Sequence, residues 1–312
     1  MSSTSHSNLA VSLRGVTKRF GSQTAVNGVD LAIHDGSIHG IIGPNGSGKT
    51  TILRMILRIY RPDSGSVTVL GNAHGEAADD RVGYLPEERG LYHRMKVRDV
   101  LKYFARLKGH NRPDPDINHW LEKLQATEWS HKRIEQLSKG MAQKIQFIAA
   151  VVANPKLVIL DEPFSGLDPV NMEVLRDAVI ELKKRGTIVL LSTHDMDVAE
   201  QMCDRIFMIY KGNKVLDGTL QEIQTEYGEP ILRVKMAQAT APDLQHSILS
   251  QLIDSITANG EYHDIRLKSA EGRYTVLKRL VEQGDVEHFE TAKPTLHDIF
   301  IRIARPTAAV EE

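Results

Sequence analysis

Hydrophobic and polar positions alternate or cluster along the chain in patterns that predict strands. Residues 9–13 open a small sheet, and Val29, Leu31 and Ile33 alternate with polar residues, as in a strand with one buried face. Three runs are apolar almost throughout, which is typical of strands buried on both faces; they are residues 38–42, 157–160 and 188–191. Because we predict a helix between the last two runs, the pattern indicates an α/β fold with a parallel sheet.

Helical spacing of apolar residues predicts two further features of the first part of the chain. The segment after Gly48 is predicted to form a helix that Pro62 ends. One face of this helix is apolar and carries Ile52, Leu53, Ile56 and Tyr60. Residues 88–152 show the same spacing twice, so we predict a helical subdomain inserted there; the positions are Val100, Leu101, Phe104, Leu107, Met141, Ile145, Ile148 and Val152.

We expect two domains, and a first domain that covers residues 1–227. Residues 204–215 are typical of a hairpin around Gly212 and Asn213, and Thr219 with Glu222 has the spacing of a capping box that opens a helix. Strand-like and helical runs then alternate, so residues 228–305 predict a small C-terminal α/β domain. Residues 306–312 are small or acidic and predict a flexible tail.

Composition excludes several classes of function. With 312 residues and a formal net charge of -1, the chain has no global attraction for nucleic acid. Its single cysteine, Cys203, excludes an intrachain disulfide and a cysteine-based zinc site, so we expect a cytoplasmic location. Residues 1–10 lack the pattern of a secretory signal, and no apolar run approaches the ~18 to 20 residues that cross a bilayer. If the protein serves transport, we expect another chain to form the pore.

A glycine-rich segment between a predicted strand and a predicted helix carries the strongest chemical signal. It reads Gly43-Pro44-Asn45-Gly46-Ser47-Gly48-Lys49-Thr50, followed by Thr51. Its glycines let backbone N–H groups wrap phosphates, while the helix N-terminus favours their negative charge. We expect Lys49 to neutralise the β and γ phosphates and Thr50 to bind Mg²⁺. An incidental glycine-rich turn is the alternative, which the strand–loop–helix position disfavours.

Two carboxylates follow the buried run at 157–160. Asp161 and Glu162 are predicted to stand at the C-terminal end of a strand, where open α/β sheets bind ligands. Asp161 can hold Mg²⁺ through its water shell, and Glu162 can orient or deprotonate an attacking water. Two solvated or capping acids are the alternative for such a pair in isolation.

Five further segments between Phe20 and His194 stand in the order found in the ATP-binding subunits of ABC transporters, which the chain resembles over roughly its first two-thirds. The resemblance implies a P-loop NTPase fold of the ABC type, with a mixed central sheet, an antiparallel β subdomain and a helical subdomain. It also implies ATP and Mg²⁺ as cofactors, and ATP hydrolysis as the activity.

The resemblance assigns roles to three of these segments. Leu137-Ser138-Lys139-Gly140-Met141 is similar to the family signature, which implies that Ser138 and Gly140 contact the γ phosphate held by the opposite subunit of a head-to-tail dimer. Asp168 matches a loop along the dimer interface. His194 matches the switch histidine that positions the water, so Lys49, Glu162 and His194 are the expected catalytic residues. Taken alone, a capping serine or a structural histidine is the better explanation of its segment, and a turn explains the Asp168 segment equally well.

Four of the matched positions depart from the family pattern. Phe20 stands where the family usually has a tyrosine that stacks on adenine, and a phenyl ring keeps that stacking, although a core aromatic is an alternative. Glu87 stands where most members have a glutamine that touches Mg²⁺ and meets the membrane subunit. A carboxylate is also a hard oxygen ligand, so we expect Glu87 to contact the metal, with its negative charge altering affinity or coupling. Lys139 and Met141 replace the commoner Gly and Gln of the signature.

Residues 84–92 and 294–301 narrow the resemblance to sodium-efflux and drug-efflux ATP-binding subunits. In the second segment, Thr295 and Asp298 have the spacing of a capping box, so a docked helix is the plain alternative. We therefore expect two ATP-binding subunits, bound beneath separate membrane permease subunits at the inner face of the cell membrane, to power efflux. No nucleic-acid partner is expected.

Two other classes of protein remain open on the sequence. A soluble ABC ATPase could clamp DNA or ribosomes, but the chain has one cassette, no long coiled-coil insertion and no strongly basic tail. A phosphate-loop kinase would leave Ser138, Asp168 and His194 unexplained.

Overall fold

The computed structural model of the chain describes residues 9–73, 79–88, 90–227, 231–237, 251–269 and 272–304. The chain divides into two compact units, Met1–Thr219 and Leu220–Glu312. The sequence predicts a boundary after Tyr227, whereas this division precedes the helix that ends there. The predicted flexible tail at residues 306–312 lies outside the described residues.

The first unit alternates strands and helices along the chain. In order, they are β1 (Leu9–Phe20), β2 (Gln23–His34), β3 (Ile38–Ile42), α1 (Lys49–Ile56), β4 (Ser64–Val69), β5 (Asn72–Ala73), β6 (Val82–Leu85), α2 (Val97–Leu107), α3 (Asp114–Lys123), α4 (Lys139–Val151), β7 (Leu157–Asp161), α5 (Pro169–Lys184), β8 (Ile188–Thr193), α6 (Met196–Met202), β9 (Arg205–Tyr210) and β10 (Asn213–Gly218).

The central sheet of this unit is mixed and has the strand order β10-β9-β3-β8-β7-β6. Neighbours from β9 to β6 run parallel, and β10 is antiparallel to β9. Every residue of β3, β7 and β8 is buried, which confirms the strands predicted from the three apolar runs. Because parallel strands end at the same edge, the loops that follow β3, β7 and β8 lie close together.

A second sheet is antiparallel, with the order β2-β1-β4-β5. Leu13 pairs with Leu31 on one side and with Val67 on the other, and all three side chains are buried. These strands share one core with the buried face of α1, including Ile52 and Leu53. The alternating apolar pattern at residues 29–33 therefore marks the face that covers this core.

Helix α1 is shorter than its apolar pattern predicts. Ile52, Leu53 and Ile56 are buried as expected, but the helix ends at Ile56 and Tyr60 lies beyond it. Arg58 adopts a left-handed conformation (φ 62). The amides of Ile59 and Tyr60 then both bond to the carbonyl of Arg54, at 2.8 and 3.1 Å, which closes the helix well before Pro62.

Helices α2, α3 and α4 confirm the predicted helical insertion. Their common core holds Trp120 of α3, whose ring meets the ring of Phe147 of α4 edge-on at 6.0 Å, and both side chains are fully buried. Leu107, which the periodicity places on the same apolar face, is 56% exposed. The last turn of α2 thus lies at the surface of the subdomain.

The hairpin predicted at the end of the first unit is formed by β9 and β10. Its turn residues are Lys211 (φ 48) and Gly212 (φ 78), so the turn lies one position before the predicted pair, and Asn213 already begins β10. Left-handed conformations at both positions fit the two-residue turn that matches strand twist. The Gly212 amide donates to the Ser47 carbonyl at 2.9 Å, and the Asn27 amide donates to the Gly212 carbonyl at 2.9 Å.

The second unit is built on an antiparallel sheet. Its elements are α7 (Leu220–Tyr227), β11 (Ile231–Met236), β12 (Ile253–Asn259), β13 (Tyr262–Leu267), α8 (Arg273–Gln283), β14 (Val286–Ala292) and α9 (Leu296–Ala304), with the sheet order β12-β13-β11-β14. Leu232, Val276 and Leu280 lie in its core. The predicted capping box is present, since Thr295 and Asp298 each accept the other's backbone N–H at 3.1 Å. Within the described residues, no helix has the length and apolarity needed to cross a membrane.

Two glycines with the same backbone conformation provide a matched test of the antiparallel sheet. Gly65 and Gly71 both have φ +84. A Cβ added at Gly65 would lie 2.5 Å from the carbonyl oxygens of Arg14 and Gly15, whereas a Cβ added at Gly71 would have no atom of the described residues within 4 Å. We expect Gly65→Ala to lower the free energy of unfolding by about 2 to 4 kcal/mol, and Gly71→Ala by about 1 kcal/mol. Denaturant unfolding followed by circular dichroism measures both; equal losses would contradict the packing described for β1 and β4.

Candidate functional site

The glycine-rich loop joins β3 to α1 and is held by close backbone contacts. Gly43 (φ 151) and Gly48 (φ 116) both have positive φ values that side chains disfavour. A Cβ at Gly43 would lie 2.2 Å from the Ile209 carbonyl oxygen, and one at Gly48 would lie 2.5 Å from that of Ala25. Glycine is therefore required at both positions for the loop to pack against β2 and β9.

Lys49 lies at the first position of α1, and its ammonium group is directed back across the loop. The Nζ atom donates to the carbonyl oxygens of Gly43 at 2.7 Å and Pro44 at 3.2 Å, and it lies 3.8 Å from Oε1 of Glu162. Burial lowers the pKa of Lys49, while the charges of nearby carboxylates, that of Glu162 foremost, act in the opposite direction. The loop thus presents a buried cation at its centre.

Asp161 ends β7, and its carboxylate is almost fully buried. Oδ1 accepts a hydrogen bond from the Ser192 hydroxyl at 2.5 Å, whereas Oδ2 has no hydrogen-bond partner among the described residues. Burial raises the pKa of Asp161, although the Ser192 bond opposes that shift. A buried carboxylate oxygen without a donor is costly, so a ligand for it is expected in the working protein.

Glu162 is held at the same edge by the last residues of β8 and by His194, which follows it. Its backbone is left-handed (φ 49), and its amide donates to the Ser192 carbonyl at 3.1 Å. Its Oε2 accepts from the Thr193 hydroxyl at 3.3 Å, and its Oε1 lies 2.9 Å from Nδ1 of His194. The structure therefore brings together Lys49, Glu162 and His194, as the predicted catalytic role requires.

A cleft of about 390 Å³ opens over this arrangement. Predicted site residues that line it are Phe20, Asn45, Gly46, Gly48, Lys49, Thr50, Thr51, Glu87 and Glu162. Phe20 is 45% exposed, which excludes a core role; its ring meets that of Tyr60 edge-on at 5.3 Å. Gln23 and Ala25 also line the cleft, and no motif in the sequence marks them.

Glu87 follows β6 and is exposed at the wall of the cleft. The backbone on both sides of it is tied to α4, because Nε2 of Gln146 donates to the carbonyls of Pro86 at 2.9 Å and Glu88 at 3.1 Å. Gln143, one turn earlier on α4, donates to the Pro163 carbonyl at 3.0 Å, directly after the paired acids. No motif in the sequence marks either glutamine; the apolar spacing of their helix predicts only that one face of the helix is buried.

Ser138, Gly140 and Asp168 do not line the cleft. Ser138 caps α4 by accepting the Met141 amide at 3.3 Å, and Asp168 caps α5 by accepting the Asn171 amide at 3.0 Å. The two segments are adjacent, since a Cβ at Gly140 would lie 3.5 Å from Cδ2 of Leu167. They form a second cluster of predicted site residues, separate from the cluster of Lys49, Glu162 and His194.

Two family models match the chain. The model described as ABC transporter matches residues 26–165, which include the glycine-rich loop, the signature and the paired acids. The model described as ATP-binding protein DrrA1-3-like, C-terminal domain, matches residues 218–304. The second match begins close to the division between the two compact units.

Relatives extend the similarity over almost the whole length. The chain is 41% identical to the uncharacterized ABC transporter ATP-binding protein YhaQ of Bacillus subtilis (strain 168), over 92% of this chain and 95% of the relative. It is 31% identical to the daunorubicin resistance ATP-binding protein DrrA3 of Streptomyces coeruleorubidus, over 97% of this chain and 98% of the relative.

The fold of the chain is also similar to that of solved ABC transporter subunits. One described as the structure of the ATP binding subunit of an ABC transporter has a TM-score of 0.67 and 27% identity, over 70% of this chain and 93% of the other. This chain therefore belongs to the family of ABC transporter ATP-binding proteins, which bind ATP and hydrolyse it to power transport.

Proposed function

We propose that two ATP-binding subunits of this kind close head to tail around ATP and Mg²⁺, beneath a separate membrane permease on the cytoplasmic face, and so drive efflux. The observation that carries this proposal is the division of the predicted site: Lys49 and Glu162 line the cleft and His194 lies 2.9 Å from Glu162, while Ser138 and Gly140 do not line the cleft. Similarity to a drug-resistance relative supports efflux as the direction.

In this proposal, the cleft binds the nucleotide through its backbone and through Phe20. Backbone N–H groups of residues 45–50 and the ammonium group of Lys49 bind the phosphates, since this loop opens a helix whose N-terminus favours negative charge. The exposed ring of Phe20 stacks on adenine from the far wall of the cleft. The Ser47 amide donates to the Pro44 carbonyl at 3.2 Å, which closes the turn of the loop that contains Asn45.

The residues present fit a magnesium ion. Oδ2 of Asp161 is buried without a partner, and Thr50 and Glu87 supply two further oxygen ligands at the cleft. Among the described residues, no three His, Cys, Asp or Glu side chains are grouped closely enough to hold a metal by themselves. Mg²⁺ in phosphoryl-transfer sites is typically held by one or two carboxylates together with phosphate oxygens, and there it neutralises developing charge.

Glu162 and His194 handle the attacking water. Glu162 is fixed through both carboxylate oxygens, so it can orient a water in line with the γ phosphate and accept its proton. His194, whose side chain is half exposed, donates to the γ phosphate from the other face. Ser138 and Gly140 of a second subunit complete the site, with Asp168 along the interface.

Replacing Glu162 with Gln tests this role. The amide keeps the shape but cannot accept the proton, so we expect ATP hydrolysis to fall at least about 100-fold while ATP binding persists and an ATP-bound dimer accumulates. Size-exclusion chromatography with and without Mg-ATP measures dimerisation, with Glu122→Gln on the exposed face of α3 as the matched control. A monomer with ATP bound would count against the closed dimer.

Mixing two inactive variants tests whether the sites are shared between subunits. Lys49→Ala and Ser138→Arg each inactivate both sites of a homodimer, but a mixed dimer contains one site with the intact Lys49 and the intact Ser138. We expect an equimolar mixture to recover about a quarter of wild-type hydrolysis, because half of the dimers are mixed and each has one competent site. Activity no higher than that of either variant alone, despite subunit exchange, would refute completion by a second subunit.

A further inference from the structure

The walls of the nucleotide cleft carry more negative than positive charge. Its charged lining residues are Lys49, Glu87 and Glu162, and Asp161 lies directly behind them. The one ammonium group among these residues is already engaged with two loop carbonyls and with Glu162. Arg54 interacts electrostatically with Asp161, but its guanidinium bonds to the Tyr60 hydroxyl at 3.0 Å and does not line the cleft.

The backbone around Glu87 is anchored to helix α4. Gln146 is 4% exposed and donates to the carbonyls on both sides of Glu87, so the backbone that carries this carboxylate is attached to a buried helix residue. The charge of Glu87 acts on Lys49 and on Asp161. Burial is the main cause of the raised pKa of Asp161, and among neighbouring carboxylates Glu87 adds more to that shift than Glu162 does.

A buried carboxylate oxygen next to the cleft independently indicates a missing ligand. Among the residues that the structure describes, Oδ2 of Asp161 has no hydrogen-bond partner, and the side chain is nearly inaccessible. A hydrated divalent cation satisfies such a carboxylate oxygen, whereas a phosphate group alone would repel it.

We propose that Glu87 makes the cleft select the metal complex of ATP and exclude metal-free ATP. A metal-free triphosphate brings about four negative charges to a site whose side chains are already negative. Asp161 and Glu162 are buried, where screening is weak, and Glu87 adds its charge from the exposed wall of the cleft. A divalent cation that enters with the nucleotide offsets this repulsion and gives Asp161 and Glu87 an opposite charge. This inference rests on the proposed ATP-binding cleft and adds that its occupancy follows the supply of metal-bound nucleotide.

The experiment compares nucleotide affinity with and without metal, and does not depend on hydrolysis. The dissociation constant of a fluorescent ATP analogue is measured in excess EDTA and in excess Mg²⁺ for wild type, Glu87→Gln and Glu88→Gln. We expect the ratio of the two constants to fall about tenfold in Glu87→Gln, mainly through tighter metal-free binding. Glu88→Gln removes the same charge one residue away, outside the cleft lining, and is expected to keep the wild-type ratio.

A second variant separates charge from shape. Glu87→Asp keeps the carboxylate and is expected to retain most of the wild-type ratio, so a ratio as low as that of Glu87→Gln would overturn the proposal. An unchanged ratio in Glu87→Gln would also overturn it. If the wild-type protein binds no nucleotide even with Mg²⁺, the proposed cleft itself fails, and the inference fails with it.

Discussion

The buried contact between the Lys49 ammonium group and Glu162 is the constraint on which the rest of the site depends. Both side chains are less than a tenth exposed, and each charge is tolerated only because the other, with the loop carbonyls and Thr193, compensates it. Such compensation requires fixed distances between the ends of β3, β7 and β8. The parallel strands β3, β7 and β8 are buried along their whole length and supply this rigidity. Charged residues can therefore gather at one edge of the sheet.

Helix α4 connects three parts of the molecule that carry chemistry. Ser138 stands at its N-terminus, Gln143 contacts the loop behind the paired acids, and Gln146 holds the backbone around Glu87. These contacts come from a single rigid element, so a displacement of α4 must either move all three loops or break buried hydrogen bonds. A partner that acts on the helical subdomain therefore acts on the loop of Glu87 and on the segment of Ser138 together.

The sequence identifies many of the residues that line the cleft, but it does not identify the contacts that hold them in place. The central strands are confirmed because their apolar runs are long and the glycine loop and paired acids directly follow two of them. The end of α1 at Ile56 is not predictable from periodicity, since it depends on the left-handed Arg58. Gln23 and Gln146 escape sequence analysis because their importance arises from contacts across the fold. The roles of Ser138, Gly140 and Asp168 remain predictions that rest on a second subunit.

The shape of the glycine-rich loop depends on the hairpin of β9 and β10, which lies more than a hundred residues later in the chain. The turn of this hairpin accepts and donates backbone hydrogen bonds with Asn27 and Ser47, and the Ile209 carbonyl packs against Gly43. These contacts fall after the last residue with a chemical role, His194. The shortest fragment of this protein that keeps its phosphate loop in shape must therefore extend through Gly218, and ribosomal synthesis cannot finish the ATP site until that hairpin has emerged.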